Sequence, residues 1–223
     1  MRFKPLMQIL VSIGLVALPS LALANQNAVS DRPLAVVGFG DSLMSGFELP
    51  VRDSFTAQLE KALKDKGVDV TIANAGVAGE TTTDGLSRLD WSVPDGTDMV
   101  ILEFGANDAL RGISPEISEK NLSEIIERLK QRNVKVIIAG MLAPPNMGRD
   151  YEDKFNSIFP RLAAKYDVPL YPFFMDGVAT EKSLQLEDGM HPNAKGVARM
   201  VEGFMPVMER TIAASSEAAG GTQ

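Results

Sequence analysis

The chain has 223 residues, with 22 Lys and Arg against 29 Asp and Glu, one His and no Cys. A formal charge of -7 repels polyanions on average, which argues against nucleic acid or an anionic membrane as the main partner. The lack of Cys excludes thiolate chemistry and cysteine zinc sites, and a chain of this length can bury a core without disulfides.

The first 24 residues read as an export signal. Arg2 and Lys4 precede an apolar run from Leu6 to Leu18, followed by Pro19 and by Ala22-Leu23-Ala24 as a cleavage site. The run is shorter than the roughly 20 residues of a membrane-spanning helix. Cleavage after Ala24 is therefore expected, giving a soluble periplasmic or secreted protein with no stable membrane anchor. Without Arg2 and Lys4 the chain keeps 20 basic residues against 29 acidic ones.

Strand-like and helix-like segments then alternate. Leu34 to Phe39 is a short apolar run ending at Gly40, as a buried parallel strand would be. Asp53 is a candidate cap for a helix whose Phe55, Leu59, Ala62 and Leu63 share a face and which stops at Gly67. Val68 to Ala73 and Met99 to Phe104 are strand-like. Ser114-Pro115 opens a second helix, with Leu122, Ile125, Ile126 and Leu129 at helical spacing. Val134 to Met141 is a further strand. Tyr151, Phe155, Ile158, Phe159 and Leu162 suggest a helix that Pro160 must kink or break. Val168 to Phe174 supplies the last strand and Ala194 to Ile212 a closing helix bent near Pro206. This pattern predicts one α/β domain over residues 25–213, its parallel sheet covered on both faces. A small, polar tail over 214–223 is expected to be disordered.

In open α/β sheets ligands bind beyond the carboxyl ends of the strands, and four blocks there carry unusual residues. They are Gly40-Asp41-Ser42-Leu43, the stretch Asn74 to Thr81, Gly105-Ala106-Asn107-Asp108, and Asp188-Gly189-Met190-His191-Pro192-Asn193. Each alone reads as a turn or a cap. Together they supply the parts of an acyl-transfer site. A serine hydroxyl needs a neighbouring base, and His191 is the only histidine in the chain. Asp188, three residues before it, can fold back onto the second imidazole nitrogen and fix the tautomer. The backbone amides of Ser42 and Gly79 and the side-chain amide of Asn107 come from three strand ends and are candidate oxyanion donors. For Gly79 a simple tight turn is the alternative. Apolar residues at the strand ends, Met44, Leu110, Pro144, Pro145 and Met190, are candidates to line a substrate cleft. No metal or other cofactor is called for.

In this order, across nearly the whole mature length, the four blocks resemble those of the SGNH hydrolases, also called GDSL esterases. Within that family the chain is most similar to the bacterial exported thioesterase I/lysophospholipase L1/arylesterase group. Further support comes from Gly105 to Gly112, Asn146 to Tyr151, Asp167 to Leu170 and Pro172 to Met175. The resemblance implies a flavodoxin-like three-layer α/β/α sandwich with a five-stranded parallel sheet in the order 2-1-3-4-5. It also implies Ser42 as nucleophile, Asp188 and His191 completing the triad, and Gly79 and Asn107 in the oxyanion hole. Ala106 departs from the subgroup, where a second glycine is common, and its methyl group bears on the shape of the cleft. Met44 stands where a G-x-S-x-G serine would have its second glycine, which disfavours the α/β-hydrolase superfamily.

The resulting expectation is hydrolysis of small-molecule or lipid esters, with thioesters and lysophospholipids within range. Three alternatives stand beside it: an acetyl esterase acting on envelope carbohydrate, a noncatalytic binding module of the same fold, and a metal-dependent hydrolase built on Asp41, Asp108, Asp188 and His191.

Overall fold

The computed structural model describes the backbone of residues 32–220 and the side chains of residues 32–215. The expected export signal and its cleavage site lie outside the described residues.

Five parallel strands form one sheet: β1 (Leu34–Gly40), β2 (Val70–Gly76), β3 (Met99–Glu103), β4 (Lys135–Ala139) and β5 (Leu170–Tyr171). Their order is β2-β1-β3-β4-β5, the flavodoxin-like order that the resemblance implied. β3 is buried along its whole length, and β1 from Val36 onward. Strands covered on both faces are continuously apolar rather than alternating. Edge strand β2 alternates buried and exposed positions over Val70 to Ala73, and the Glu60 carboxylate accepts the Ile72 N–H at 2.6 Å.

Right-handed crossovers place successive helices on opposite faces once the strand order reverses. α2 (Phe55–Asp65) packs against α8 (Ala194–Gly220), while α3 (Thr82–Ser92), α5 (Pro115–Gln131) and α7 (Ile158–Tyr166) pack in sequence on the other side. Phe55 anchors the first of these layers, with edge-on contacts to Phe174 and Phe204 at centroid distances of 4.7 and 5.4 Å. In register, Gly40 pairs with Gly76 on one side and Glu103 on the other. The carboxyl ends of β1, β2 and β3 are therefore level, and their loops emerge together.

Several local expectations are corrected. Ser54, whose Oγ accepts the Ala57 N–H, caps α2, because Asp53 is taken up in a 3-10 turn over Val51–Asp53. α3 was not expected: it buries Thr82, Gly85, Arg88 and Leu89, so only one large apolar side chain marks its inner face. Its readable signal was the capping box of Thr81 and Asp84. The helix expected over 151–162 is two, α6 (Arg149–Asn156) and α7, separated at Ser157. Pro160 thereby falls in the first turn of α7, where its missing N–H has no intrahelical partner to lose. β5 is shorter than expected because Pro169 and Pro172 flank it and cannot donate to a ladder. Disorder was expected from residue 214, yet α8 runs to Gly220. Ala213, Ala214, Ala218 and Ala219 extend a helix already nucleated, which requires little further free energy.

Candidate active site

At the end of β1 the chain must turn tightly past β3. A Cβ on Gly40 would lie 2.4 Å from Glu103 Oε2 and 2.8 Å from Met44 Cβ, so only glycine fits. Asp41 then caps the short helix α1 (Ser42–Ser45), its Oδ1 accepting the Leu43 N–H at 3.0 Å. Ser42 is the first residue of that helix, where the backbone N–H has no intrahelical partner.

His191 arrives from the loop before α8. That loop is folded by Asp188 Oδ1, which accepts the N–H groups of Met190 at 2.9 Å and His191 at 3.0 Å. Asn193 fixes its far end: the Asn193 side chain accepts the Lys195 and Gly196 N–H groups at the start of α8 and donates to Ser183 O and Gln185 O. The remaining carboxylate oxygen of Asp188 lies 2.5 Å from His191 Nδ1, and His191 Nε2 lies 2.9 Å from Ser42 Oγ. The His191 N–H, the imidazole and the Met190 N–H hold the Asp188 carboxyl down at about 2. Asp188 is thus ionised at neutral pH and accepts the Nδ1 hydrogen, which leaves the Nε2 lone pair for the Ser42 hydroxyl. The imidazole is mostly covered, with 16% of its side chain exposed. Phe47 supplies part of that cover, its ring 4.5 Å from the imidazole centroid and tilted by 35°.

The second wall is the loop after β2, where Gly79 takes a φ of +82° that L side chains rarely adopt. Among the described residues no protein acceptor is paired with the Gly79 N–H. The loop is held from three sides. Arg111 donates to Gly79 O at 2.6 Å. Asn107 Nδ2 donates to Glu80 O at 3.0 Å. Buried Arg88 reaches up from α3 to the Glu80 carboxylate at 2.5 Å, Ala75 O at 2.9 Å and Gly40 O at 3.0 Å.

Asn107 lies on the short helix α4 (Ala106–Leu110), and besides Glu80 O its amide reaches Asp41 Oδ2 at 3.2 Å. Both amide hydrogens are thus engaged, the one toward Asp41 more loosely. The neighbouring Asp108 is buried and accepts from Thr82 N, Thr82 Oγ1 and Ser118 Oγ at 2.9, 2.6 and 2.8 Å. It ties α4 to the starts of α3 and α5. The Ala106 methyl packs against the core.

Among the candidate lining residues, Leu110 and Met190 are about half exposed at 55% and 54%, Pro145 is exposed and Pro144 half-buried. Met44 is a correction. It is fully buried, because two residues beyond Ser42 on a helix is the opposite face, and its side chain packs under Gly38 and Gly40. Val77 and Leu142, on the loops after β2 and β4, are further exposed apolar side chains that sequence reading missed. Cavities of about 350 and 810 Å³ are lined by residues of the opposite, amino-terminal end of the sheet, and neither includes Ser42, Asp188 or His191.

Sequence reading also missed Phe47, Arg88 and Glu103. Phe47 left no periodic signal. Arg88 and Glu103 were visible as charges in otherwise buried positions: a cation beside Leu89, and an acid within the apolar run Met99 to Phe104.

A fold of this order carrying a serine, a histidine and an ionised aspartate in hydrogen-bonded sequence is that of a serine hydrolase. Residues 39–199 match the GDSL-like Lipase/Acylhydrolase family, and the chain belongs to it. An arylesterase of Vibrio mimicus is 38% identical over 167 residues, covering 74% of this chain and 84% of the relative. The thioesterase 1/protease 1/lysophospholipase L1 of Escherichia coli strain K12 is 35% identical over 155 residues, 69% of this chain and 73% of the relative. The crystal structure of AlinE4, an SGNH-hydrolase family esterase, is 40% identical, with a TM-score of 0.69 over 82% of this chain and 98% of that one. The chain is therefore a carboxylic ester hydrolase with the SGNH fold, and the noncatalytic reading is not favoured.

Proposed function

We propose that this enzyme cleaves carboxylic esters through an acyl intermediate on Ser42. The observation that carries the reading is the unbroken relay Ser42 Oγ, His191 Nε2, His191 Nδ1, Asp188, with separations of 2.9 and 2.5 Å. As Ser42 Oγ bonds to the ester carbonyl carbon, its proton passes to His191 Nε2. Asp188 stabilises the resulting imidazolium, and the Phe47 ring covers one of its faces. The carbonyl oxygen becomes an oxyanion facing the N–H groups of Ser42 and Gly79 and one amide hydrogen of Asn107, which turns from its 3.2 Å contact with Asp41. Collapse of the tetrahedral intermediate breaks the bond to the alcohol oxygen, which leaves with the proton from Nε2. Water then attacks the acyl group under the same base and releases the acid.

The exposed apolar side chains of Leu110, Met190, Val77 and Leu142 favour a substrate with an apolar acyl or aryl portion over an acetylated sugar. Arylesterase and lysophospholipase activities, in the names of two relatives, lie in that range. Acyl-CoA is a cytoplasmic polyanion, whereas the first 24 residues argue for export and the chain is acidic, so thioester cleavage is a side activity in this reading. Residues 25–213 with the extended α8 act as one domain, and the mature protein is periplasmic or secreted.

The test is a panel of aryl and glycerol esters of graded acyl length, run beside lysophospholipid, acyl-CoA and acetylated xylan. The highest kcat/KM is expected on an aryl or long-chain ester. A maximum on the acetylated polysaccharide would overturn the substrate assignment.

A further inference from the structure

Directly beneath Ser42 lie two carboxyl groups that the proposed chemistry does not use, Asp41 and Glu103, both with no exposed surface. Glu103 ends β3 beside Gly40, and its Oε2 accepts the Asp41 N–H at 3.1 Å. Each carboxyl acts on the other's protonation: the Asp41 charge raises Glu103, and Glu103 lowers Asp41. Asp41 uses one oxygen for the Leu43 N–H and the other for the Asn107 amide. Glu103 Oε1 makes no hydrogen bond to a protein donor, alone in this respect among the buried side-chain oxygens and nitrogens of the described residues. The contrast with Asp108 is informative, since that equally buried carboxylate takes three hydrogen bonds.

Two adjacent buried carboxylates would repel each other and leave Oε1 without a protein donor. A proton on Oε1 removes both problems, because one of the two charges is lost and the oxygen becomes a donor instead of waiting to accept. Asp41 is the ionised member, since both its oxygens already receive N–H groups. We infer that Glu103 is a positioning residue that stays protonated on Oε1 and donates this hydrogen to Asp41, steadying the carboxylate that caps the Ser42 helix and holds the Asn107 amide.

Burial, and next the Asp41 charge, raise Glu103 well above the ordinary carboxylate range, outweighing the amides of Asp41 and Met44. The other titratable or charged groups facing the pair are the His191 imidazole, across Ser42, and the Arg88 guanidinium, through Gly40 O. The shared hydrogen draws charge away from Asp41. That lessens both its hold on the Asn107 hydrogen and its repulsion of an oxyanion forming nearby. The kinetic part of the inference rests on Asn107 being an oxyanion donor, whereas the location of the proton does not.

Infrared spectroscopy and kinetics of the full enzyme separate the two parts. At neutral pH the wild type should show the carbonyl band of a buried carboxylic acid, and E103Q should lose it. In E103Q an amide N–H replaces the O–H toward Asp41, so this variant should keep kcat within about threefold of wild type. E103M, similar in volume but without a donor, should lower kcat by about tenfold or more, with KM changed by less than about twofold. If E103M does not fold, the band and the E103Q kinetics still decide the inference. It is overturned by absence of the acid band, by its persistence in E103Q, by E103Q losing more than about tenfold in kcat, or by a folded E103M as active as wild type. If the band is lost in E103Q while N107A keeps full turnover, the protonated acid stands and the oxyanion role of Asn107 falls.

Discussion

Arg88 is a severe test of how the loop after β2 is held, because one buried side chain carries so much of it. Its guanidinium, 4% exposed, joins the Glu80 carboxylate, the carbonyls that end β1 and β2, and Ser92, and stacks 4.6 Å over the Phe39 ring. Arg88→Met keeps the apolar stem but removes every donor. Breaking a buried ion pair costs about 3–5 kcal/mol, because the partner is left charged and unpaired. The Glu80 side chain is 18% exposed and Gly40 O keeps the Val77 N–H, so the lower end, about 3 kcal/mol, applies here. In a domain of this size that corresponds to a Tm lower by roughly 6–12 °C in scanning calorimetry. Since Glu80 O also holds Asn107, kcat on an aryl ester should fall by a larger factor than KM rises. A Tm within about 2 °C of wild type, together with unchanged kcat, would refute the assigned role of Arg88.

Asn107→Ala should lower kcat by on the order of a hundredfold to a thousandfold with KM little changed; a loss confined to KM, or an unfolded variant, would point to a turn residue instead. Burial raises Asp41 to about 6 and Glu103 further above its ordinary value, so the folded protein binds protons that the unfolded chain releases. Their stabilising contribution is complete below about pH 4 and is lost as pH rises through the folded pKa values. Asp188, held near 2, acts oppositely, adding stability above about pH 4 and losing it as pH falls toward 2. Tm should accordingly decline between about pH 5 and 8, and E103Q should reduce that slope; a slope unaffected by E103Q would contradict the raised value. Mass spectrometry of the exported protein should find Asn25, or a residue within one or two of it, at the amino terminus, whereas an intact Met1 in the membrane fraction would contradict export with cleavage.

The parts of the fold legible in the sequence were those whose signal is apolar and continuous. β1, β3 and β4 are buried on both faces and read as runs, and α5 shows its inner face at regular spacing. α3 was illegible because polar networks do the work of apolar packing there: Thr82 bonds Asp108, and Arg88 bonds three segments. The four blocks of candidate site residues were readable because turns at strand ends carry local signals, and the structure brings Ser42, Gly79, Asn107, Asp188 and His191 to one end of the sheet. Which side chain faces the cleft was not readable at Met44, since the rotation of a four-residue helix leaves no period in the sequence. Nor was the Asp41–Glu103 contact, a neighbour relation set by strand register between residues 62 positions apart.

The central claim is that Ser42, activated by the one histidine of the chain, takes up the acyl group. Its most direct measurement is the mass of the active-site peptide after a fluorophosphonate reaction, in wild type, Ser42→Ala and His191→Ala. The wild type should carry one phosphonyl group on Ser42 and lose ester hydrolysis in proportion, Ser42→Ala should stay folded and unlabelled, and His191→Ala should be labelled far more slowly. Labelling at another residue, with Ser42→Ala still hydrolysing esters, would contradict it.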